Sequence, residues 1–252
     1  MENILKLSYS LIQALGPNSH ILHIKDVNDT YHLEQIPEVE GMFLSSSEIS
    51  YEYQIFSVKQ LMDILSGIYF ISIGKGYFDD NEIVLYQGTP GRENKRKNDR
   101  ENDNDNKRQA IDDLNFDRMN LFGQTNINPK EIIKIVTQLI DIVPGLELDI
   151  YTDPVHNGDD GYIYFIEKKN DQFYMSDESG ETDQAIHSME EMYSLIKGTV
   201  VILTIIQRPS SKNVKSLSLY NTLNNTSFGK SGRFKNKILH ISNEIKYLLK
   251  IK

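Results

Sequence analysis

The sequence predicts an α+β protein built from two tandem, duplicated modules, each an antiparallel sheet with helices on one face, followed by a basic C-terminal helix. Three observations carry that expectation. First, the chain repeats itself: residues 57–73 align without a gap on residues 188–204 at a constant offset of 131, so that Ser57 meets Ser188, Gly67 meets Gly198 and Ile71 meets Ile202. The same offset lays Met42-Phe43-Leu44-Ser45 on Phe173-Tyr174-Met175-Ser176 and Tyr31 on Tyr162. An offset of 128 lays Ile4, Leu5, Leu11 and Ile12 on Ile132, Ile133, Leu139 and Ile140. Two copies indicate a domain pair, because stacked repeat arrays need about three units or more. Second, each copy reads in the order α-β-β-β-α-β, which an antiparallel sheet with its helices segregated to one face satisfies. Third, 252 residues suit two small domains.

The elements follow from local pattern. Ile4, Leu7, Leu11, Ile12 and Leu15 recur at helical spacing over residues 3–15, and Gly16-Pro17 stops the helix. Residues 20–25 and 30–35 alternate around Asp26-Val27-Asn28-Asp29, the signature of a hairpin. Residues 42–45 form a third strand. Ser57 is the expected N-cap of a helix that ends near Gly67, and the β-branched run 68–73 follows as a strand, with residues 81–87 adding another. In the second copy, Asn128-Pro129 opens a helix over residues 131–142 that Pro144-Gly145 ends. Residues 146–151, 161–167 and 172–176 read as strands, residues 188–197 as a helix and residues 199–206 as the most β-prone run of the chain.

These patterns set the expected boundaries: a first module at 1–89, a charged disordered linker at 90–128, a second module at 129–208 and a basic tail at 209–252. Residues 91–108 contain no apolar side chain, so the linker cannot bury enough surface to offset its ordering entropy. In the tail, Ile238, Leu239, Ile241, Ile245, Leu248 and Leu249 form an apolar stripe among lysines.

Charge divides along the same lines. Residues 1–89 hold 4 Lys/Arg against 12 Asp/Glu, residues 110–208 hold 7 against 18, and residues 209–252 hold 9 against 1. Two acidic bodies therefore share a chain with one basic tail. The bodies repel nucleic acid, while the tail attracts it or folds back on them. The chain has no cysteine, which excludes disulfides, thiolate metal sites and a cysteine nucleophile. It has no run of about 18 apolar residues and no basic leader before the first helix, so the expectation is a soluble, cytoplasmic protein.

The chemistry-bearing residues are few. The loop Thr152-Asp153-Pro154-Val155-His156-Asn157-Gly158-Asp159-Asp160-Gly161 is rich in carboxylates but lacks EF-hand spacing. Asp-Gly and Asn-Gly pairs of this kind also make ordinary strand connections. Asp177 and Glu178 form a second acidic pair, which would do acid–base or metal work only if it converged on a cleft. The six histidines are scattered and no three share metal-ligand spacing; no cofactor is expected. Phe228-Gly229-Lys230-Ser231-Gly232-Arg233 lacks the spacing of a phosphate loop.

One stretch carries a family resemblance. Ile150-Tyr151-Thr152-Asp153-Pro154, Asp160, residues 162–165 and Tyr174-Met175-Ser176-Asp177-Glu178-Ser179-Gly180 resemble a small domain of unknown function found in bacteria and their phages, over residues 130–182. Asp153 before the proline and the inserted Ser179 depart from that pattern, and the resemblance implies no activity.

The leading functional expectation is a non-enzymatic protein that binds another, basic protein in the manner of an acidic inhibitor, immunity protein or chaperone. Its candidate contact residues are Asp153, Asp159, Asp160, Asp177 and Glu178. The α-β-β-β-α-β order is also similar to that of acidic secretion chaperones. A second expectation is a nucleic-acid-binding regulator that uses Lys230, Arg233, Lys235 and Lys237. A third is a metal-dependent enzyme built on the acidic loops of the second module.

Overall fold

The computed structural model describes residues 1–17, 20–37, 39–47, 52–76, 82–89, 127–153, 161–178, 183–208 and 214–221. The linker residues 90–126 and the predicted C-terminal helix lie outside the described residues.

The first module runs α1 (Glu2–Leu15), β1 (Ile21–Asp26), β2 (Thr30–Glu34), β3 (Met42–Ser46), β4 (Glu52–Ile55), α2 (Val58–Ile64), β5 (Ile68–Gly74) and β6 (Ile83–Gln87). The second runs α3 (Pro129–Ile142), β7 (Leu146–Thr152), β8 (Ile163–Lys169), β9 (Gln172–Asp177), β10 (Gln184–Ile186), α4 (Met189–Leu195), β11 (Val200–Gln207) and β12 (Lys215–Asn221). Each is therefore α-β-β-β-β-α-β-β: the first module gains β4 beyond the expected strands, and the second gains β10 and β12. The two sheets are wholly antiparallel and share one order, β4-β3-β2-β1-β5-β6 and β10-β9-β8-β7-β11-β12.

Duplication extends to the irregularities. β5 and β11 each carry a bulge at equivalent positions, Tyr69 and Val201, and β6 and β12 carry another at Leu85 and Leu219. Two bulges in matched places are not a generic feature of antiparallel sheets, since each is a local insertion that bends one strand. The helix offset of 128 holds in detail: buried Ile4, Leu5, Ser8, Tyr9, Leu11, Ile12 and Leu15 of the first copy fall on buried Ile132, Ile133, Val136, Thr137, Leu139, Ile140 and Val143. The N-cap pair also matches, with the Gln60 amide donating to Ser57 Oγ at 3.3 Å and the Glu191 amide to Ser188 Oγ at 3.1 Å.

The gapless offset fails after those caps. Ile71 pairs with Ile24 on β1, whereas on β7 the partner of the equivalent Ile150 is Leu203. Ile71 thus corresponds to Leu203 and not to Ile202, because the turn after α4 is one residue longer than the turn after α2. Gly198 accommodates that turn at φ 85°, where an added Cβ would collide with the Asp153 carbonyl oxygen. Similarly, Tyr31 corresponds to Tyr164, which lies opposite Ile150, and not to Tyr162. A one-residue slip reverses every side chain of a strand, so the correction decides which face each residue occupies.

The four helices among the described residues pack on one face of their sheets. A single core joins the modules, running from Leu22, Ile24 and Leu33 of the first sheet through α1 and α3 to Leu148, Ile150 and Leu203 of the second. The modules also meet at β6, which lies beside β11 and β12. There the Gln207 side-chain amide donates to the Val84 carbonyl at 2.6 Å and accepts from the Val84 amide at 3.0 Å, satisfying an edge strand as a neighbouring strand would. Residues 215–221, assigned above to a polar tail, thus complete the second sheet as β12. No helix among the described residues is long and apolar enough to cross a membrane.

Candidate functional site

The face of each sheet opposite the helices carries the unusual polar chemistry. In the first module a row crosses four paired strands: Ser45 on β3, His32 on β2, His23 on β1 and Ser72 on β5. The His23 and His32 rings meet edge to face at 4.9 Å. Glu82, just before β6, closes the row: its Oε1 lies 2.5 Å from His23 Nδ1 and accepts a hydrogen bond from the Ser72 hydroxyl. Desolvation works to raise the Glu82 pKa. Hydrogen bonds from His23 and Ser72, with the charges of His23 and Lys215, outweigh it and hold the carboxyl below its ordinary value. Burial, reinforced by His23, lowers the pKa of His32. The arrangement is not a nucleophilic triad, because the Ser72 hydroxyl is committed to the carboxylate and not to an imidazole.

The equivalent row of the second module reads Ser176, Phe165, Asp149 and Thr204. Asp149 takes the place of His23. It is 3% exposed, and its Oδ1 has no hydrogen-bond partner among the described residues. Burial pushes its pKa up to about 7, and the neighbouring Glu147 charge adds to the shift against the opposing effects of Arg208 and Tyr151. The two buried acids of the first hairpin are engaged by hydrogen bonds. Asp26 accepts from the amides of Asn28, Ser66 and Gly67, and Asp29 from the amide of Thr30 and the hydroxyls of Ser46 and Ser47. Those two hold turns together.

Of the acids expected to bind a partner, the described ones are Asp153, Asp177 and Glu178. Asp153 and Asp177 sit at the same end of the second sheet, at the ends of β7 and β9 with β8 between them. Asp177 is level with Ile150 across β8, three residues short of Asp153, so their backbones lie roughly 14 Å apart, two inter-strand spacings across and three residues along. The Asp153 amide donates to the Thr199 carbonyl at 2.8 Å, a turn contact, and Glu178 is exposed. Asp159, Asp160, Lys230, Arg233, Lys235 and Lys237 lie outside the described residues. Among the described residues no group of three His, Asp or Glu side chains is placed to hold a metal ion. An open groove of about 500 Å³ lies where β7 begins, but its charges are already paired: Arg208 with Glu147 at 2.9 Å and Lys168 with Asp141 at 2.9 Å.

What pattern reading missed is the His23–His32–Glu82 cluster. Part of it was accessible, since a hairpin turning on residues 26–29 places residue 23 opposite residue 32. Glu82 comes from the far end of the module and carries no such signal.

The free edges of the sheets complete the inventory. Along β4, Glu52, Tyr53 and Gln54 are exposed, and Tyr53 and the adjacent Phe56 keep 41% and 54% of their surface. The opposite edge strand, β10, has three residues, and Gln184 and His187 stand where Tyr53 and Phe56 do. The Gln172 side chain donates to the Ile186 carbonyl at 2.6 Å, tying that strand down. No protein-family model, curated protein or solved structure matches the chain.

Proposed function

We propose that this chain is a non-enzymatic protein-binding protein that captures an extended, basic segment of its partner along β4. The observation that carries the reading is an edge strand with exposed aromatic side chains beside it, Tyr53 and Phe56, on an acidic module. Among the described residues no strand pairs with the outer side of β4. An added strand gains affinity from main-chain hydrogen bonds, and the pockets for its alternate side chains supply specificity. Tyr53 and Phe56 offer rigid apolar area at low entropic cost, which is the chemistry of interface anchors. The net −8 charge of residues 1–89 favours Lys and Arg in the captured segment. Against an enzyme stand the separation of Asp153 from Asp177 among the described residues and the internal pairing of the groove's charges.

The test is affinity capture from host lysate with the nuclease-treated full-length chain, comparing wild type with a Tyr53→Lys, Phe56→Asp double variant of matched thermal stability. The expected result is a protein partner held by the wild type and lost by the variant. A partner retained by the variant overturns the β4 assignment. Capture that disappears on nuclease treatment moves the function to nucleic-acid binding by Lys230, Arg233, Lys235 and Lys237.

A further inference from the structure

The edge at β4 has two chemically different sides. Tyr53 stands opposite Leu44 and Ile55 opposite Met42, and both partners belong to the main core, so Tyr53 lies on the helix side of the sheet. Side chains alternate along a strand, which puts Glu52 and Gln54 on the other side. There Glu52 stands opposite Ser45 and forms the outer end of the row that runs through His32, His23 and Ser72 to Glu82. Glu52, Tyr53 and Gln54 are all exposed. A strand added beyond β4 therefore meets a carboxylate on one side and an aromatic ring on the other, one residue apart.

The second copy shows that this pairing of features belongs to β4 and not to the fold. Asp183, just before β10, matches Glu52 at the offset of 131, and Lys169 takes up its charge inside the module at 3.4 Å. Leu33 pairs with Leu44 as Ile166 pairs with Met175, so the first-module equivalent of Lys169 is Ile36. No cation stands there, and among the described residues none forms an ion pair with Glu52. Gln184 takes the place of Tyr53 in the same comparison. A second copy of the chain is a poor occupant of β4. It would bring another module of net −8 charge to the same edge, and like charges facing each other across strands destabilise the pair.

We infer that β4 selects a partner segment in which basic and apolar side chains alternate, with a Lys or Arg facing Glu52 on one side of the sheet and an apolar side chain facing Tyr53 on the other. The inference rests on capture along β4 as the function, and it makes Glu52 the specificity residue. Composition alone does not satisfy such an edge, because a side chain interacts with cross-strand neighbours on its own face.

The experiment measures fluorescence anisotropy of labelled heptapeptides with the full-length chain. One peptide alternates Lys and Val, a second has the same composition with its lysines grouped at one end, and a third alternates Glu and Val. Wild type is compared with Glu52→Gln, Glu52→Lys and the Tyr53→Lys, Phe56→Asp double variant. The expected result is that wild type binds the alternating Lys/Val peptide severalfold more tightly than the grouped one. Glu52→Gln should weaken that binding and Glu52→Lys should weaken it further, while Glu52→Lys should bind the Glu/Val peptide better than wild type does. Equal affinity for the alternating and grouped peptides, or unchanged preferences in Glu52→Lys, overturns the alternation; if binding is still lost in the double variant, capture along β4 stands without it. Peptide binding that survives in the double variant overturns both. Failure of wild type to bind either Lys peptide overturns the alternation, and the lysate capture then decides the β4 reading separately. A wild-type dimer in sedimentation that the double variant loses overturns the inference as well, because the occupant is then a second copy.

Discussion

His23 and Asp149 occupy the same position in two copies of one fold, the middle of the central strand on the face away from the helices, yet they carry opposite potential charge. In the first module the counter-charge is internal: Glu82 reaches His23, and Ser72 supports the carboxylate. In the second module the position equivalent to Glu82 is Ser216, by the matched bulges of β6 and β12, and Asp149 Oδ1 has no hydrogen-bond partner among the described residues. The lesson is that a duplicated backbone preserves burial but not its electrostatic solution. A buried charge is tolerable when it is paired, and otherwise shifts its pKa until it is neutral.

The comparison can be tested at decreasing scale. Leu22 and Leu148 are both fully buried and equivalent, so Leu22→Ala and Leu148→Ala should each destabilise the chain by about 2–5 kcal/mol in denaturant unfolding. A large difference between them would show that the cores are less alike than their registers.

Asp149→Asn comes next. The folded-state pKa of Asp149 is raised, so the native state holds the extra proton. Its contribution to stability is full below the unfolded value near 3.8 and is lost as pH rises towards about 7. The loss amounts to about 4 kcal/mol, taking 1.36 kcal/mol per unit. The asparagine variant should therefore be more stable than wild type at pH 8 and should flatten the decline between pH 4 and pH 7 in thermal melts. An unchanged pH profile would place the Asp149 charge elsewhere than in the buried row.

Glu82→Gln should act with the opposite sign. The folded-state pKa of Glu82 is lowered, so its contribution is present above the unfolded value and lost as pH falls through the folded one. The variant should lose about 1–3 kcal/mol at pH 7, the cost of leaving buried donors poorly satisfied, and lose less than wild type on acidification. Equal acid sensitivity in the two proteins would remove Glu82 from the pairing.

The smallest contrast is at the turns. Gly198→Ala forces a side chain at φ 85° against a carbonyl and should cost about 1–2 kcal/mol. Gly67 has no positive φ, and its Cβ would meet the exposed Val27 side chain, which can move. Gly67→Ala should cost less in the same unfolding assay, and the reverse order would contradict the inserted-residue account of the second turn.

Legibility followed the strength of the local signal. The helices, their caps at Ser57 and Asn128, and the first hairpin could be read because their apolar spacing and capping groups lie within a few residues of each other. β4 and β10 were missed: Glu52, Tyr53 and Gln54 are exposed and β10 has three residues, so neither shows alternation. β12 was missed although Leu217 and Leu219 alternate with serines, because short polar residues around them suggest a loop. The acidic residues picked out for partner binding are prominent in composition. The free edge at Tyr53 and Phe56 is prominent only in space.

The sequence by itself determined the duplication, the α+β class, the core positions of α1 and α3 and the split between acidic modules and basic tail, since each rests on spacing or charge along the chain. Only the tertiary structure decided the register of β5 against β1 and of β11 against β7, the junction through Gln207 and Val84, and the meeting of His23 with Glu82, 59 residues away. The reason is that a strand's side-chain period of two leaves each face open to a one-residue slip. Long-range pairing across the folded sheet removes that freedom.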